Sequence, residues 1–399
     1  MASEVKFLDV TRPSFTVADA ERLARELYGL EAKAKEFISE RDRIFHLAAE
    51  SGEFVLKLVH PDEAETVLDF QVKALNWIAR ENPALPVPRV RQARNGEQVS
   101  HVTSAGRRHA VWMLSYLPGT PIMETQPGTA TLRELGRLAA RMDLALAGYF
   151  HPAAGREIVW DVRHAPQVRH HLALLDDAAA RKVSEHAIDR FAADCLPKLS
   201  SLRAQVLHND LNFHNVLVDP AHPERISGVI DFGDMLHCPL IAELSIAGSD
   251  AVLERDDPIA VVAELLAGYH AILPLTEAET AQLFDLIQGR QALCLAVLAS
   301  RRAQISNDPS YLESYAEPIM RSVQALEEIG RDKVREAFRR VVEPASISLP
   351  RIPAAEVDAD RDRMLAWRRR VMGPQTYMFY DKPLHMVRGE GAWLTDITG

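Results

Sequence analysis

From residue 17 to residue 28 apolar side chains recur at helical spacing, with Thr16 before the run and Gly29 after it. This predicts a capped amphipathic helix. The period then shortens to two. Residues 38–48 and 54–59 read as a hairpin turning at Ser51-Gly52, with Lys57 on the face of Val55 and Val59 and opposite Leu56 and Leu58. A helix over 62–80 ends before Asn82-Pro83, Asn95-Gly96 marks a turn between two further strands, and 111–117 is a last strand that Pro118-Gly119 breaks. From Thr131 the helical period returns. Thr131 and Glu134 have the spacing of a capping box, and Leu135, Leu138, Met142 and Leu146 fall on one stripe. Further helices are predicted over 166–199, 259–272, 276–301 (opening on Thr276 and Glu279) and 313–341. The pattern predicts an α+β protein in two lobes, a small antiparallel sheet with one main helix over 1–117 and a mainly helical lobe over 118–345.

One stretch interrupts the helical lobe with period-two runs. Val206-Leu207, 216–218 and 226–230 are short strands, and 219–223 is turn-forming. Polar residues gather at the strand ends: Asp210, Asn215 four residues beyond it, and Asp231 followed by Phe232-Gly233. An acid in a loop, an amide ligand after it and an acid at the end of the next strand are what phosphoryl transfer needs. Asp210 would take the proton of a substrate hydroxyl, while Asn215 and Asp231 offer hard oxygens to a Mg²⁺ that bridges ATP phosphates. Asp-x-x-x-x-Asn followed by Asp-Phe-Gly matches the catalytic and metal segments of kinases. With these motifs present, Lys57 fits the strand lysine that holds the nucleotide phosphates.

The motifs HNDLNFHNVLV and ISGVIDFGDM resemble the aminoglycoside phosphotransferase superfamily of small-molecule kinases. Residues 114–122, 136–143, His151-Pro152 and 266–276 add a closer resemblance to its hydroxylysine kinases, so that the likeness covers roughly 35–330. It implies a bilobal protein-kinase-like fold, ATP and Mg²⁺ as cofactors, and an acceptor that is a small amine-bearing alcohol. Asn209 departs from the usual glycine, but asparagine tolerates a left-handed backbone. The resemblance places Ser39 and Arg41 in a phosphate-covering loop, Met113, Ser115 and Leu117 beside the adenine, and Gln71 where relatives carry the glutamate that pairs with the lysine. Asp69 and Glu65 are the other candidates for that partner. Trp160, Asp161 and Asp234 are candidate substrate contacts, the two acids for an ammonium. Capping and loop-stabilising roles stand equally open for Asp161 and Asp234. Glu243 reads as a capping or packing residue and His208 as a brace of its loop.

Composition narrows the partners. The 399 residues carry a net charge of −10, which disfavours a nucleic-acid partner. No run of eighteen apolar residues and no leader at Met1 point away from membrane and export. Cys195, Cys238 and Cys294 lie far apart without CxxC spacing and read as free thiols in a reducing cytoplasm. Residues 346–363 form a Pro/Ala-rich linker. After it, Tyr380, Pro383, Leu384, Arg388, Gly389, Gly391, Leu394, Asp396 and Gly399 resemble the opening of class III pyridoxal-phosphate aminotransferases. Residues 364–399 are thus expected to begin such a domain, its cofactor bound only further downstream, in a fusion of kinase and phospho-lyase. This tail is expected either to be mobile or to pack its apolar side chains on the kinase lobe or on a second copy in a homodimer. Two other functions fit the same motifs: an antibiotic-inactivating phosphotransferase, and a non-catalytic docking module of the fusion.

Overall fold

Thr16 and Asp19 cap α1 (Val17–Tyr28) reciprocally, Thr16 accepting from the Asp19 amide at 3.2 Å and Asp19 from the Thr16 amide at 3.0 Å. Gly29, at φ 68°, closes its other end in the left-handed conformation. In a computed structural model, which describes residues 12–39, 41–304, 309–343, 362–363, 365–366, 386–390 and 393–396, this helix lies on a sheet built from β1 (Ala32–Phe37), β2 (Arg43–Ala49), β3 (Gly52–Leu58), β4 (Val90–Arg91), β5 (Ser100–Ser104) and β6 (Arg107–Ser115). The sheet runs β1-β2-β3-β6-β4, with β5 also on β6. The strand expected over 38–48 begins only at Arg43. Ile38 is 98% exposed and lies beyond the end of β1 (Ala32–Phe37), a separate strand that went unread. Its AKAKEF alternation carries two lysines on an exposed face, which weakens the apolar signal.

Register decides what each face of the sheet does. Lys57 pairs with Trp112, Val55 with Leu114, Ile44 with Lys57 and His46 with Val55. Because directly paired residues share a face, these side chains look away from α1. Leu56, Leu58, Phe45, Val111 and Met113 look the other way and bury themselves with Leu23 and Ala24 of α1. α2 (Glu65–Glu81) follows β3 and packs Phe70, Leu75 and Ile78 into the main core.

The hinge passes through Pro118-Gly119. Gly119 sits at φ 156°, and a Cβ there would collide with Ser227 Oγ and the Leu217 side chain, so only glycine lets the hinge lie against the strands below. Those strands are β7 (Thr120–Pro121), β9 (Val216–Asp219) and β10 (His222–Val229), in the order β10-β9-β7; β8 (Ala204–Leu207) pairs with β11 (Leu236–Pro239). Around them lie α3 (Thr129–Leu146), α4 (Ala178–Arg190), α5 (Ile241–Ala251), α6 (Pro258–His270), α7 (Leu283–Gln304), α8 (Pro309–Ile329) and α9 (Arg331–Val342).

Several expected boundaries are corrected. Thr131 does not cap α3: the helix starts at Thr129 after Gly128, and Thr131 Oγ1 donates to Pro223 O at 3.3 Å. The single helix expected over 166–199 is a series of short turns, then α4, then a π-turn at Phe191–Cys195. The final helix breaks at Gly330, φ 90°. Thr276 and Glu279 do form a capping box. The helical stretch Glu277–Ala303 is long and apolar enough to cross a membrane, yet its apolar window is 89% buried within the protein. It is the central helix of the core.

The chain divides after Glu343 into two units. In the second, β12 (Met386–Glu390) pairs antiparallel with β13 (Trp393–Asp396). Arg388 and Gly389 lie on the first strand and Leu394 and Asp396 on the second. Tyr380, Pro383, Leu384, Gly391 and Gly399 lie outside the described residues.

Candidate active site

The loop after β8 is held from beneath by buried polar groups. His208 is fully buried, accepts from the Asp210 amide through Nδ1 at 3.2 Å, and so carries its proton on Nε2, 3.1 Å from Ile230 O. Burial pushes the imidazole down to about 4, so it remains neutral. Its role is the brace the sequence suggested. Asn209 stands at φ 60°, within the range asparagine tolerates. Its amide donates to Glu243 Oε2 at 3.0 Å and its side chain to Asp234 O at 3.2 Å. Glu243 therefore does not cap α5. It is a fully buried acid beneath the loop, and burial pushes it up to about 7.

Asp210 is the focus. Asn212 Nδ2 donates to Oδ1 at 2.8 Å, and Asn215 Nδ2 to Oδ2 at 2.6 Å and to the main-chain oxygen at 3.1 Å. Arg290 Nη2, reaching in from α7, lies 3.7 Å from Oδ1. Burial and then the negative charge of Asp234 raise the Asp210 carboxyl, against the pull of Arg290. Because the Asn215 amide nitrogen is committed to Asp210, its side-chain oxygen is the atom that could take a cation.

Asp231, at φ 60°, accepts from the Gly233 amide at 3.1 Å and lies 3.7 Å from Lys57 Nζ. The Lys57 ammonium holds Asp231 below the usual carboxylate range. Burial draws Lys57 down, but Asp231, then Asp42 and Glu63, outweigh it and hold the ammonium above its ordinary value. Glu65 is engaged by Arg108 at 2.7 Å, and Asp69 by Lys73 at 2.7 Å and His151 at 3.1 Å. Neither Glu65 nor Asp69 partners Lys57. Gln71 is buried on α2 and carries no charge to offer. The acids acting on Lys57 come instead from loops: Asp231 after β10, Asp42 before β2 and Glu63 before α2.

Other candidates are redistributed. Arg41 pairs with Glu63 and its Nη2 lies 3.4 Å from His60 Nδ1, while Asp42 accepts from the His60 amide at 2.9 Å; together they fasten the loop that carries half-buried Ser39. Met113 does not share the face of Lys57. Its alternation places it under α1, fully buried. Ser115 shares that face and accepts from the Arg89 amide at 2.9 Å. Leu117 lies within contact distance of Gly228 at the hinge. The residues that do line the Lys57 face are Ile44, His46, Val55, Trp112 and Leu114, with Phe37 and Tyr116 beside His46 at 5.8 and 4.6 Å between ring centres. Register could have found them had β1 been recognised.

Asp161 takes the capping role, one of the two readings the sequence left open. It is 2% exposed, caps a short turn through the Arg163 amide at 3.0 Å, and takes the Arg163 guanidinium at 2.7 Å. Its carboxylate is therefore already engaged. Asp234 stays at the site, on the turn that Arg156 clamps through Gly233 O and, at 3.2 Å, Met235 O. Trp160 is half-buried, with the Arg290 and Arg301 guanidinium groups 5.1 and 5.4 Å from its ring centre. Arg290 had no sequence signal, since nothing in the pattern of α7 separates it from a surface arginine.

Among the described residues no three His, Cys, Asp or Glu side chains cluster as a metal site. Asn215 and Asp231 supply two hard oxygens. That set suits a cation which brings phosphate and water oxygens as its remaining ligands, not one caged by protein alone.

Three comparisons accord with this arrangement. A family model described as "Phosphotransferase enzyme family" matches residues 34–283. Hydroxylysine kinase of Mus musculus is 29% identical over 350 residues, covering 82% of this chain and 93% of that protein. Among solved structures, a microcompartment-associated aminopropanol kinase superposes with a TM-score of 0.63 at 21% identity, over 80% of this chain and 99% of its own. An amicoumacin kinase in complex with AMP-PNP, Ca²⁺ and Ami gives 0.60 at 16%, over 78% and 94%.

Proposed function

Because the chain belongs to the phosphotransferase enzyme family, we propose that it transfers the terminal phosphate of ATP to the hydroxyl of a small amino alcohol or hydroxy amino acid. The observation that carries the reading is the Asp210–Asn215 contact at 2.6 Å facing a Lys57–Asp231 pair at 3.7 Å. Lys57 would hold nucleotide phosphates beneath the loop that Arg41 and Asp42 fasten. Asn215 and Asp231 would hold Mg²⁺, which when bound neutralises charge on the phosphate oxygens. Asp210 would orient the acceptor hydroxyl and take its proton, its two oxygens fixed by Asn212 and Asn215 so that little reorganisation remains for the reaction. Asp234 would hold the acceptor's ammonium. The name of a curated relative favours this class over an antibiotic: hydroxylysine kinase is similar to the chain over most of its length.

ADP release is the test. With a panel of hydroxy amino acids, amino alcohols and aminoglycosides, turnover is expected with members of the first two groups. Turnover of aminoglycosides alone would support the antibiotic reading, and none at all the docking-module reading.

We propose further that the hairpin β12–β13 belongs to an aminotransferase-like segment; the spacing of Arg388, Gly389, Leu394 and Asp396 supports this. A phospho-lyase of that class would consume the phosphorylated product. Deleting 361–399 is then expected to leave kinase kcat/KM within about tenfold, some 1.4 kcal/mol. A larger loss would assign the segment to the kinase site.

A further inference from the structure

Beneath the loop that carries Asp210, two acids face each other without a cation. Glu243 of α5 and Asp143 of α3 are both fully buried. Each uses one oxygen: Glu243 Oε2 accepts from the Asn209 amide at 3.0 Å, and Asp143 Oδ2 accepts from the Tyr269 hydroxyl at 2.5 Å. The other two oxygens, Asp143 Oδ1 and Glu243 Oε1, are buried with no hydrogen-bond partner. A buried acceptor left unmatched is strongly disfavoured, and a pair of like charges in one core still more so. A single proton removes both faults. Asp143 as a carboxylic acid donates through Oδ1, and the Glu243 carboxylate accepts through Oε1.

The surroundings hold the pair in place and supply no other donor to it. Helices α3 and α6 cross so closely that a Cβ on Gly136 or Gly268 would strike the other helix's backbone, which keeps Tyr269 against Asp143. Gln205 donates to the Asp143 main-chain oxygen at 2.6 Å, not to its carboxylate. The Cys238 thiol of β11 turns to Asn209 Oδ1 at 3.7 Å. Arg203, which acts on Tyr269, is taken by Glu279 at 2.6 Å, and His208 is neutral and turned to Ile230 O. Among the described residues no cation acts on either acid. Burial and then Glu243 raise the Asp143 carboxyl well above the carboxylate range, and burial pushes Glu243 up to about 7.

We propose that Asp143 and Glu243 share one proton between Oδ1 and Oε1, and that this acid pair is a positioning unit for the loop of Asp210, which it reaches through the Asn209 amide. Asn209 stands at φ 60° beside Asp210, and such a backbone persists where its neighbours over-determine it. The link to catalysis rests on the kinase reading above; the shared proton does not. Both acids bind protons more tightly folded than unfolded. The stability they contribute is therefore full below the ordinary carboxylate range and is lost as pH rises through about 7, where Glu243 titrates, and beyond.

Amides separate the proton from the packing. Asp143→Asn keeps an acceptor for Tyr269 and turns a fixed N–H to Glu243; Glu243→Gln keeps the acceptor for Asn209 and turns one to Asp143. Each should fold. Each should also flatten the fall in melting temperature that the wild-type protein shows from about pH 6 to 9, where every proton retained by the folded state shifts the folding equilibrium up to tenfold per pH unit. The double variant sets two N–H groups face to face. It should melt lower than the two single losses combined, with kcat at least tenfold below either single variant and nucleotide affinity little changed. Infrared spectra at about pH 8 should show the carbonyl band of a protonated carboxylic acid in the wild-type protein and its loss in Asp143→Asn. Additive melting losses, a wild-type pH slope in Asp143→Asn, a band that this variant leaves unchanged, or its failure to fold overturns the shared proton. A double variant with the kcat of the single ones overturns the positioning role. Absence of turnover with every acceptor overturns the kinase reading, while melting and infrared spectra still decide the shared proton.

Discussion

Asp210→Asn is expected to lower kcat by about 10²–10⁴, the range for loss of a general base, while nucleotide binding changes little. Both Asp210 oxygens accept from amides, Asn212 at 2.8 Å and Asn215 at 2.6 Å. An asparagine keeps one of those bonds and turns a donor toward the other, a loss of about 1 kcal/mol. Against that, burial and Asp234 already resist a charge at this position, so a neutral amide relieves part of the cost. The fold should therefore survive with a melting temperature close to that of the wild-type protein. Nucleotide titration, thermal melts and steady-state kinetics on one preparation separate these effects. Near-full turnover would show that Asp210 is not the base.

Asp231→Asn should behave differently. The variant keeps the acceptor for the Gly233 amide and tolerates φ 60°, so the backbone is expected to hold. What it loses is the charge that faces Lys57 and, in the proposed function, the metal. Mg-nucleotide affinity should fall at least tenfold, about 1.4 kcal/mol, and the gain in affinity on adding Mg²⁺ should largely vanish. Asp231→Ala should show the same binding defect together with a lower melting temperature, since alanine is poorly suited to a left-handed backbone. Calorimetric titration with and without Mg²⁺ checks this; an unchanged Mg²⁺ dependence in Asp231→Asn would remove Asp231 from the metal site.

Local chemistry was legible where few residues carried it. Asp210, Asn215 and Asp231 lie within one hairpin of sequence, and their spacing alone brought them together. Lys57 followed from strand alternation, because a period of two assigns a face without knowing what covers it. The Thr16 and Thr276 caps could be read because both partners of a capping box lie three residues apart. Thr131 had the same spacing and failed, since Gly128 had already started that helix one turn earlier.

Where the answer depended on which face meets which neighbour, the sequence was silent. Met113 and Trp112 are adjacent and both apolar, yet one lies under α1 and the other beneath Lys57; the β3–β6 register decides between them. Asp161 and Asp234 were equivalent candidates until folding set Arg163 against the first and left the second beside Asp210. Glu65 and Asp69 found other cations, so Lys57 takes its countercharge from Asp231. Arg290 illustrates the limit most plainly, for it comes from a helix far along the chain and meets Asp210 only when α7 packs into the core. The sequence by itself determined the loop and hairpin that bring Asp210, Asn215 and Asp231 together, the strand face of Lys57 and the two-lobe α+β plan, because these rest on periodicity and short spacing. Only the tertiary structure decided which charges neutralise one another and which side chains share the Lys57 face, because long-range ion pairs and register are set by packing and leave no period in the chain.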